Sequence, residues 1–243
     1  MLKKILTIKI GLLGVIGVFL VGAWGVLMAP QFHANYLRSK VGAQVVYILD
    51  AAGSSGGTGF AVQTPSHKVV IVTNRHVCGV ANNFGILFVK KETGPAFPMQ
   101  IIKRSDNSDL CAITPLKDMS GLKLAHNVEI GQDLAILGHP LLLPLNLSLG
   151  QLMGYDKVEV LVNKGRCKVN KGMFKTVPAP FGLACIQFAN SGITNVVALP
   201  GNSGSPVVDF YGHVVGVNYA TNMAANWAII VPLEAVRDFL KGM

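Results

Sequence analysis

The stretch "LPGNSGSPVV", Leu199 to Val208, sets a serine between two glycines, follows it with a proline and then opens a β-branched run. Glycine gives the backbone freedom for a sharp bend, and proline fixes φ beside it. Two readings fit. The stretch is a plain loop, or it mounts Ser203 on a bend with backbone N–H groups aimed beside the hydroxyl. A serine hydroxyl is a weak nucleophile and needs a base. The second reading therefore sends the search to histidine, whose ordinary pKa lies near neutrality.

There are six histidines. His33, His67, His126 and His213 fall in polar or turn-like stretches. Only His76 follows directly on an apolar, β-branched run, "VVIVTNRHVC", and a strand end is a rigid mount for a base. His139, in "LGHPLLL", is the second candidate, although a structural place at the turn before Pro140 suits it better. A carboxylate is then needed to hold the imidazole in one tautomer. Asp109 in "SDNSDLCAIT" opens an apolar strand, whereas Asp106 sits in a looser polar turn. Taken singly, each residue reads as a turn former or a surface group. Taken together, the order His76, Asp109, Ser203 gives a nucleophile, a base and an orienting acid.

The rest of the chain bounds the setting. Many short β-rich runs between turn signals argue for an all-β barrel or sandwich. About 200 residues of β-structure suit one domain made of two small barrels. Only "PLEAVRDFLKGM" reads as a later helix, with Pro232 at its start and Leu233, Val236 and Leu240 on one face. Residues 10–29, "IGLLGVIGVFLVGAWGVLMA", carry no charge and are long enough to cross a bilayer as a helix. Residues 1–9, with Lys3, Lys4 and Lys9, favour a cytoplasmic N-terminus and an extracytoplasmic remainder. Leu27 and Pro30 make a poor cleavage site, so an uncleaved anchor is expected, followed by a polar linker over residues 30–40.

The net charge of +9 is concentrated early, and 16 Lys/Arg face 12 Asp/Glu after residue 40. Lys157, Lys164, Arg166, Lys168, Lys171 and Lys175 form a basic segment with few aromatics, which argues for a solvated hairpin and against nucleic acid. The four cysteines, Cys78, Cys111, Cys167 and Cys185, lack CxxC spacing, so no metal is expected. Cys167 with Cys185 would staple the basic hairpin, and buried free thiols are the equal alternative.

These motifs, in this order, resemble the trypsin-like serine proteases, and most of all the protease domain of the HtrA type. "GTGFAV", "VVIVTNRHV", "SDLCAI", "IGQDLAILGHPLLL", "GNSGSPVVDFYGHVVGVNYA" and "WAIIVPLEAV" are collinear with that family's motifs. The resemblance covers roughly residues 41–243. It implies two antiparallel six-stranded β-barrels, split near residues 120–130, with the site in the cleft between them. It also implies a His76–Asp109–Ser203 triad, an oxyanion hole of the Gly201 and Ser203 N–H groups, and no cofactor. A substrate pocket would involve Val197, with Asn218, Tyr219 and Ala220 as a wall and Ile229 on the next strand. No acid is evident there, which favours apolar, small-to-medium residues before the scissile bond. Three departures stand out. Ser205 replaces a glycine, Pro200 replaces a basic residue, and no PDZ domain follows in this sequence. Where secreted digestive relatives carry an aspartate that pairs with a new N-terminal ammonium, this chain has Asn202, so an active loop without processing is expected. The expectation is a membrane-anchored serine endopeptidase acting on protein or peptide substrates. The alternative is an inactive relative that keeps the cleft to bind peptides or partners.

Overall fold

The computed structural model describes residues 33–162, 174–179, 182–222 and 225–243, with no side chains over 159–189. The expected anchor, residues 10–29, and most of the basic segment with the Cys167–Cys185 pairing lie outside the described residues. Among the described residues no helix is long and apolar enough to cross a membrane.

The first barrel contains β1 (Val45–Leu49), β2 (Gly56–Gln63), β3 (Val69–Thr73), β4 (Ile86–Lys90), β5 (Ala96–Arg104) and β6 (Cys111–Ile113). The strands run antiparallel in the order β1-β2-β3-β6-β5-β4, and β4 closes back onto β1. In β4, buried and partly exposed residues alternate, as a barrel wall with one wet face requires. β3 instead buries four residues in succession, Val70 to Thr73. The barrel interior is filled by Val46, Ile48, Ala61, Ile71, Leu87, Val89 and Ile113, all fully buried. Each Val, Leu or Ile among them stabilises the fold by roughly 1.5–3 kcal/mol relative to exposure.

The second sheet contains β7 (Asp133–Gly138), β8 (Asn146–Val162), β9 (Phe174–Ala179), β10 (Gly182–Thr194), β11 (Pro206–Val208), β12 (Val214–Asn222) and β13 (Trp227–Pro232). Six of them close as β7-β8-β10-β13-β12-β11, and β9 pairs outside the ring on β10. The fold is therefore two closed six-stranded antiparallel barrels, as expected. One local expectation differs. "LSLGQLMG" and "KVEVLV" read as two strands, yet β8 runs unbroken across them. Opposite β10 the pairing steps from Leu152 to Gly154, leaving Met153 as the extra residue of a bulge. The glycine marks a bend in one strand rather than a turn between two.

Residues 33–40, read as linker, form a helix, α1. Leu37 and Val41, four apart and so on one face, are buried in the core shared with the second barrel. The closing helix α2 (Leu233–Leu240) matches its expectation. It buries Leu233, Val236, Phe239 and Leu240 and carries Glu234 in its first turn and Arg237 in its last, as the helix dipole favours. Arg237 also donates to the carbonyls of Ala125 and His126 in the segment joining the barrels, and Lys103 donates to Phe239 O. The end of the chain thus ties both barrels together.

Candidate active site

His76 and Asp109 both follow from the first barrel's edge. β3 ends at Thr73, and His76 caps a 3-10 turn, Val77–Val80. Asp109 sits two residues before β6, which pairs with β3. That ladder brings the two together across 33 residues of sequence. The His76 Nδ1 and Asp109 Oδ2 atoms are 2.6 Å apart, and the His76 backbone N–H donates to Asp109 Oδ1 at 2.9 Å. The acid is 6% exposed and the imidazole 36%, so the carboxylate is sheltered while the ring reaches solvent. Asn74 Nδ2 fixes the same strand end by donating to Asp109 O at 3.0 Å.

Ser203 comes from the second barrel, in the loop before β11. Its carbonyl accepts the Thr58 N–H at 2.8 Å. A Cβ placed on Gly57 would meet Ser203 O and the Val77 side chain, both at 2.9 Å. The Ser203 loop therefore lies against the residue after His76. Ser203 Oγ makes no hydrogen bond to the imidazole among the described residues. In such sites that bond is often long until substrate is bound.

The loop's own hydrogen bonds show what it presents. The N–H groups of Asn202, Gly204 and Ser205 are used, by Leu199 O, Asn218 O and Asn202 O. Those of Gly201 and Ser203 have no acceptor among the described residues. Their directions are set from behind, because a trans peptide points its C=O opposite its N–H. Pro200 O, in the plane of the Gly201 N–H, accepts from Leu141 N at 2.7 Å. Asn202 O, in the plane of the Ser203 N–H, accepts from Asn218 Nδ2 at 2.9 Å and from Ser205 N at 3.0 Å. Gly201 has φ +93, and an added Cβ there would lie 2.5 Å from Leu141 N and 2.6 Å from His139 O. Gly201→Ala must push this clamp apart. The expected result is a loss in kcat of about a hundredfold or more with KM little changed, measured on a peptide substrate.

Thr58 was not singled out from sequence, and it joins the halves. Its N–H binds Ser203 O, its hydroxyl donates to Gly201 O at 2.8 Å and accepts from His139 N at 3.0 Å, and its carbonyl accepts from Thr73 Oγ1 at 2.6 Å. The one local hint was a threonine set between glycines in "GGTGF". No local signal marks Leu141. It and Leu142 both take left-handed φ, +54 and +58, a conformation costing a bulky residue about 1–2 kcal/mol. That turn is what offers Leu141 N to Pro200.

His139 is fully buried, stacked on Tyr47 with ring centroids 3.5 Å apart, and Nδ1 lies 3.2 Å from Leu143 O. Burial holds its imidazole below the ordinary histidine range. It is a structural residue of the turn, as its place before Pro140 suggested. Of the expected pocket residues, Val197 is 47% exposed, whereas Asn218 is buried and tethers the Ser203 loop. Tyr219 is also buried, with its hydroxyl 2.6 Å from Ser191 Oγ, and Ala220 is partly exposed. Burial, and then the Asp109 charge, push the Tyr219 phenol upward. Ser205 is buried, and its hydroxyl would lie 1.9 Å from a Cβ on Gly138, so it fills space that only a glycine there leaves open. Among the described residues no cluster of His, Cys, Asp or Glu has a metal-site arrangement.

The sequence profile of the trypsin-like peptidase domain matches residues 57–217. The chain belongs to the trypsin-like peptidases. Its relatives include an HtrA-like serine protease of Staphylococcus haemolyticus, 25% identical over 75% of this chain and 27% of that protein. Serine protease HTRA3 of Rattus norvegicus is 26% identical over 88% of this chain and 46% of its own length. The chain thus spans less than half of either. Among solved structures, the active form of the Rv3671c protease of M. tuberculosis superposes with a TM-score of 0.65, at 19% identity, over 87% of this chain and 85% of that one. The HtrA-type protease AlgW with a tripeptide gives 0.61, at 17% identity, over 86% and 64%. The structures establish the fold, and several of the relatives to which this trypsin-like domain is similar are of the HtrA type.

Proposed function

We propose that this trypsin-like peptidase is a serine endopeptidase held at a membrane by residues 10–29, with its catalytic domain outside the cytoplasm. The observation that carries the proposal is the pair of N–H groups, Gly201 and Ser203, that have no acceptor among the described residues, on a loop seated beside the His76–Asp109 pair. In the reaction, His76 Nε2 takes the Ser203 proton as Oγ attacks the scissile carbonyl. The new oxyanion binds the two N–H groups, which are fixed before substrate arrives. His76 then gives the proton to the leaving amine, and water attacks the acyl-enzyme by the reverse transfer. Asp109 keeps the imidazole in the tautomer that leaves Nε2 free to accept.

The uncharged, lysine-led run at residues 10–29 supports the anchor. A disulfide between Cys78 and Cys111 supports an oxidising compartment. Exposed Val197 and the small Ala220 support apolar, small-to-medium residues before the cut. The test is labelling of the chain with a fluorophosphonate, followed by peptide profiling. Wild type should label, Ser203→Ala and His76→Ala should not, and peptides with Val or Leu should be cut faster than those with Arg. A folded chain that never labels would favour a peptide-binding protein instead, and faster cleavage after Arg would overturn the specificity.

A further inference from the structure

Cys78 follows His76 by two residues, Cys111 follows Asp109 by two residues, and the two sulfurs are bonded to each other. Both cysteines are fully buried in the core of the first barrel. The crosslink and the His–Asp contact close one ring. It runs from His76 through Val77 to Cys78, across the disulfide to Cys111, back through Leu110 to Asp109, and across the 2.6 Å contact to His76. The two halves of the ring differ in support. Cys111 lies in β6, where it pairs with Thr73 of β3 and Arg104 of β5. Cys78 lies in the four-residue 3-10 turn, a weakly bonded kind of structure. Its backbone is held by Asn74 O at 3.1 Å and by the Arg104 guanidinium at 3.3 Å. The crosslink joins this turn to the strand that carries Asp109.

We propose that Cys78 and Cys111 are positioning residues for the peptidase reaction. Their disulfide holds the His76 turn against β6 and so keeps the His76–Asp109 contact in register, although neither sulfur touches substrate or a reacting atom. Turnover then depends on the thiol state of the pair. Reduction by a dithiol such as dithiothreitol delivers two electrons and two protons to the sulfurs, giving two thiols and the cyclic disulfide of the reductant. The inference rests on the peptidase reading above.

The test compares the purified full chain with Cys78→Val/Cys111→Ala, which keeps the positions apolar, and with wild type reduced by dithiothreitol and then reoxidised. Turnover is followed on a peptide substrate, and the strongly deshielded Nδ1 proton of the His–carboxylate contact is followed by NMR. A misplaced base should lower kcat by about ten- to a hundredfold. KM should stay within about twofold, and the deshielded proton should be lost from a variant that still melts cooperatively. Reoxidation of the reduced wild type should restore both. A folded variant, or a reduced wild type, that keeps the wild-type kcat and the deshielded proton would overturn the proposal and leave the crosslink a role in stability alone. If the variant does not fold, the reduced and reoxidised wild type decides in the same terms. Failure of the peptidase reading would look different: the oxidised wild type would show the deshielded proton yet neither turn over peptide nor label. The proton's response to reduction would then decide the positioning role by itself.

Discussion

Replacing Ser203 by alanine is expected to lower kcat by about a millionfold, and replacing His76 to do the same. Neither loss depends on folding, because neither side chain fills the core. Ser203 is only half-buried, and His76 is exposed at its ring edge. The double variant should be no slower than either single one. The two groups act as a unit: without Oγ there is no proton for His76 to take, and without the imidazole Oγ stays a weak nucleophile. What survives should be the contribution of the oxyanion hole and of binding, which the Gly201 and Ser203 N–H groups still supply. Kinetics on a peptide substrate check this, with the fluorophosphonate label as an active-site count. Additive losses, or a Ser203→Ala variant that still turns over at a rate near wild type, would place the nucleophile elsewhere.

Asp109→Asn is expected to cost about four orders of magnitude in kcat, the size associated with this change in the Ser-His-Asp template of trypsin-like enzymes. The reason can be read from two distances here. Asp109 Oδ1 accepts the His76 backbone N–H at 2.9 Å, and Oδ2 faces Nδ1 at 2.6 Å. Asparagine has one acceptor and one donor in those places. With its oxygen toward the backbone N–H, its NH2 faces Nδ1 and demands a lone pair there, which puts the imidazole proton on Nε2, where it blocks Ser203. With the amide turned round, two donors meet at the backbone N–H. That clash disfavours the turned amide, so the first arrangement prevails: the base is lost while its position is kept, and KM should change little. A folded Asp109→Asn enzyme with kcat within about tenfold of wild type would remove Asp109 from the orienting role.

Much of this arrangement was legible in sequence, for local reasons. His76 sits at the end of an apolar strand, Asp109 before another, and Ser203 between glycines, and each signal lies within a few residues of the group it marks. The strand-rich pattern and the helix Leu233–Leu240 were legible in the same way. What stayed hidden is long in range. Thr58 reaches Gly201 across 143 residues and His139 across 81, with no periodicity to announce it. Leu141 looked like part of an apolar run because its left-handed φ belongs to the fold and not to leucine. Asn218 carries a side chain that suits a pocket wall or a tether, and only its 2.9 Å bond to Asn202 O separates the two. The Cys78–Cys111 pairing needed the β3–β6 ladder, since neither spacing nor composition brings these two together.

The uncharged Asn202 has a consequence in time. In a peptidase whose nucleophile loop waits for a freshly cut terminus, there is an interval between making the enzyme and arming it. Here the loop's partners, Thr58, Leu141 and Asn218, are internal to the fold, and every one is in place once the chain has collapsed. No such interval is expected. For a chain built this way, restraint would have to come from geography, by deciding which polypeptides ever meet it.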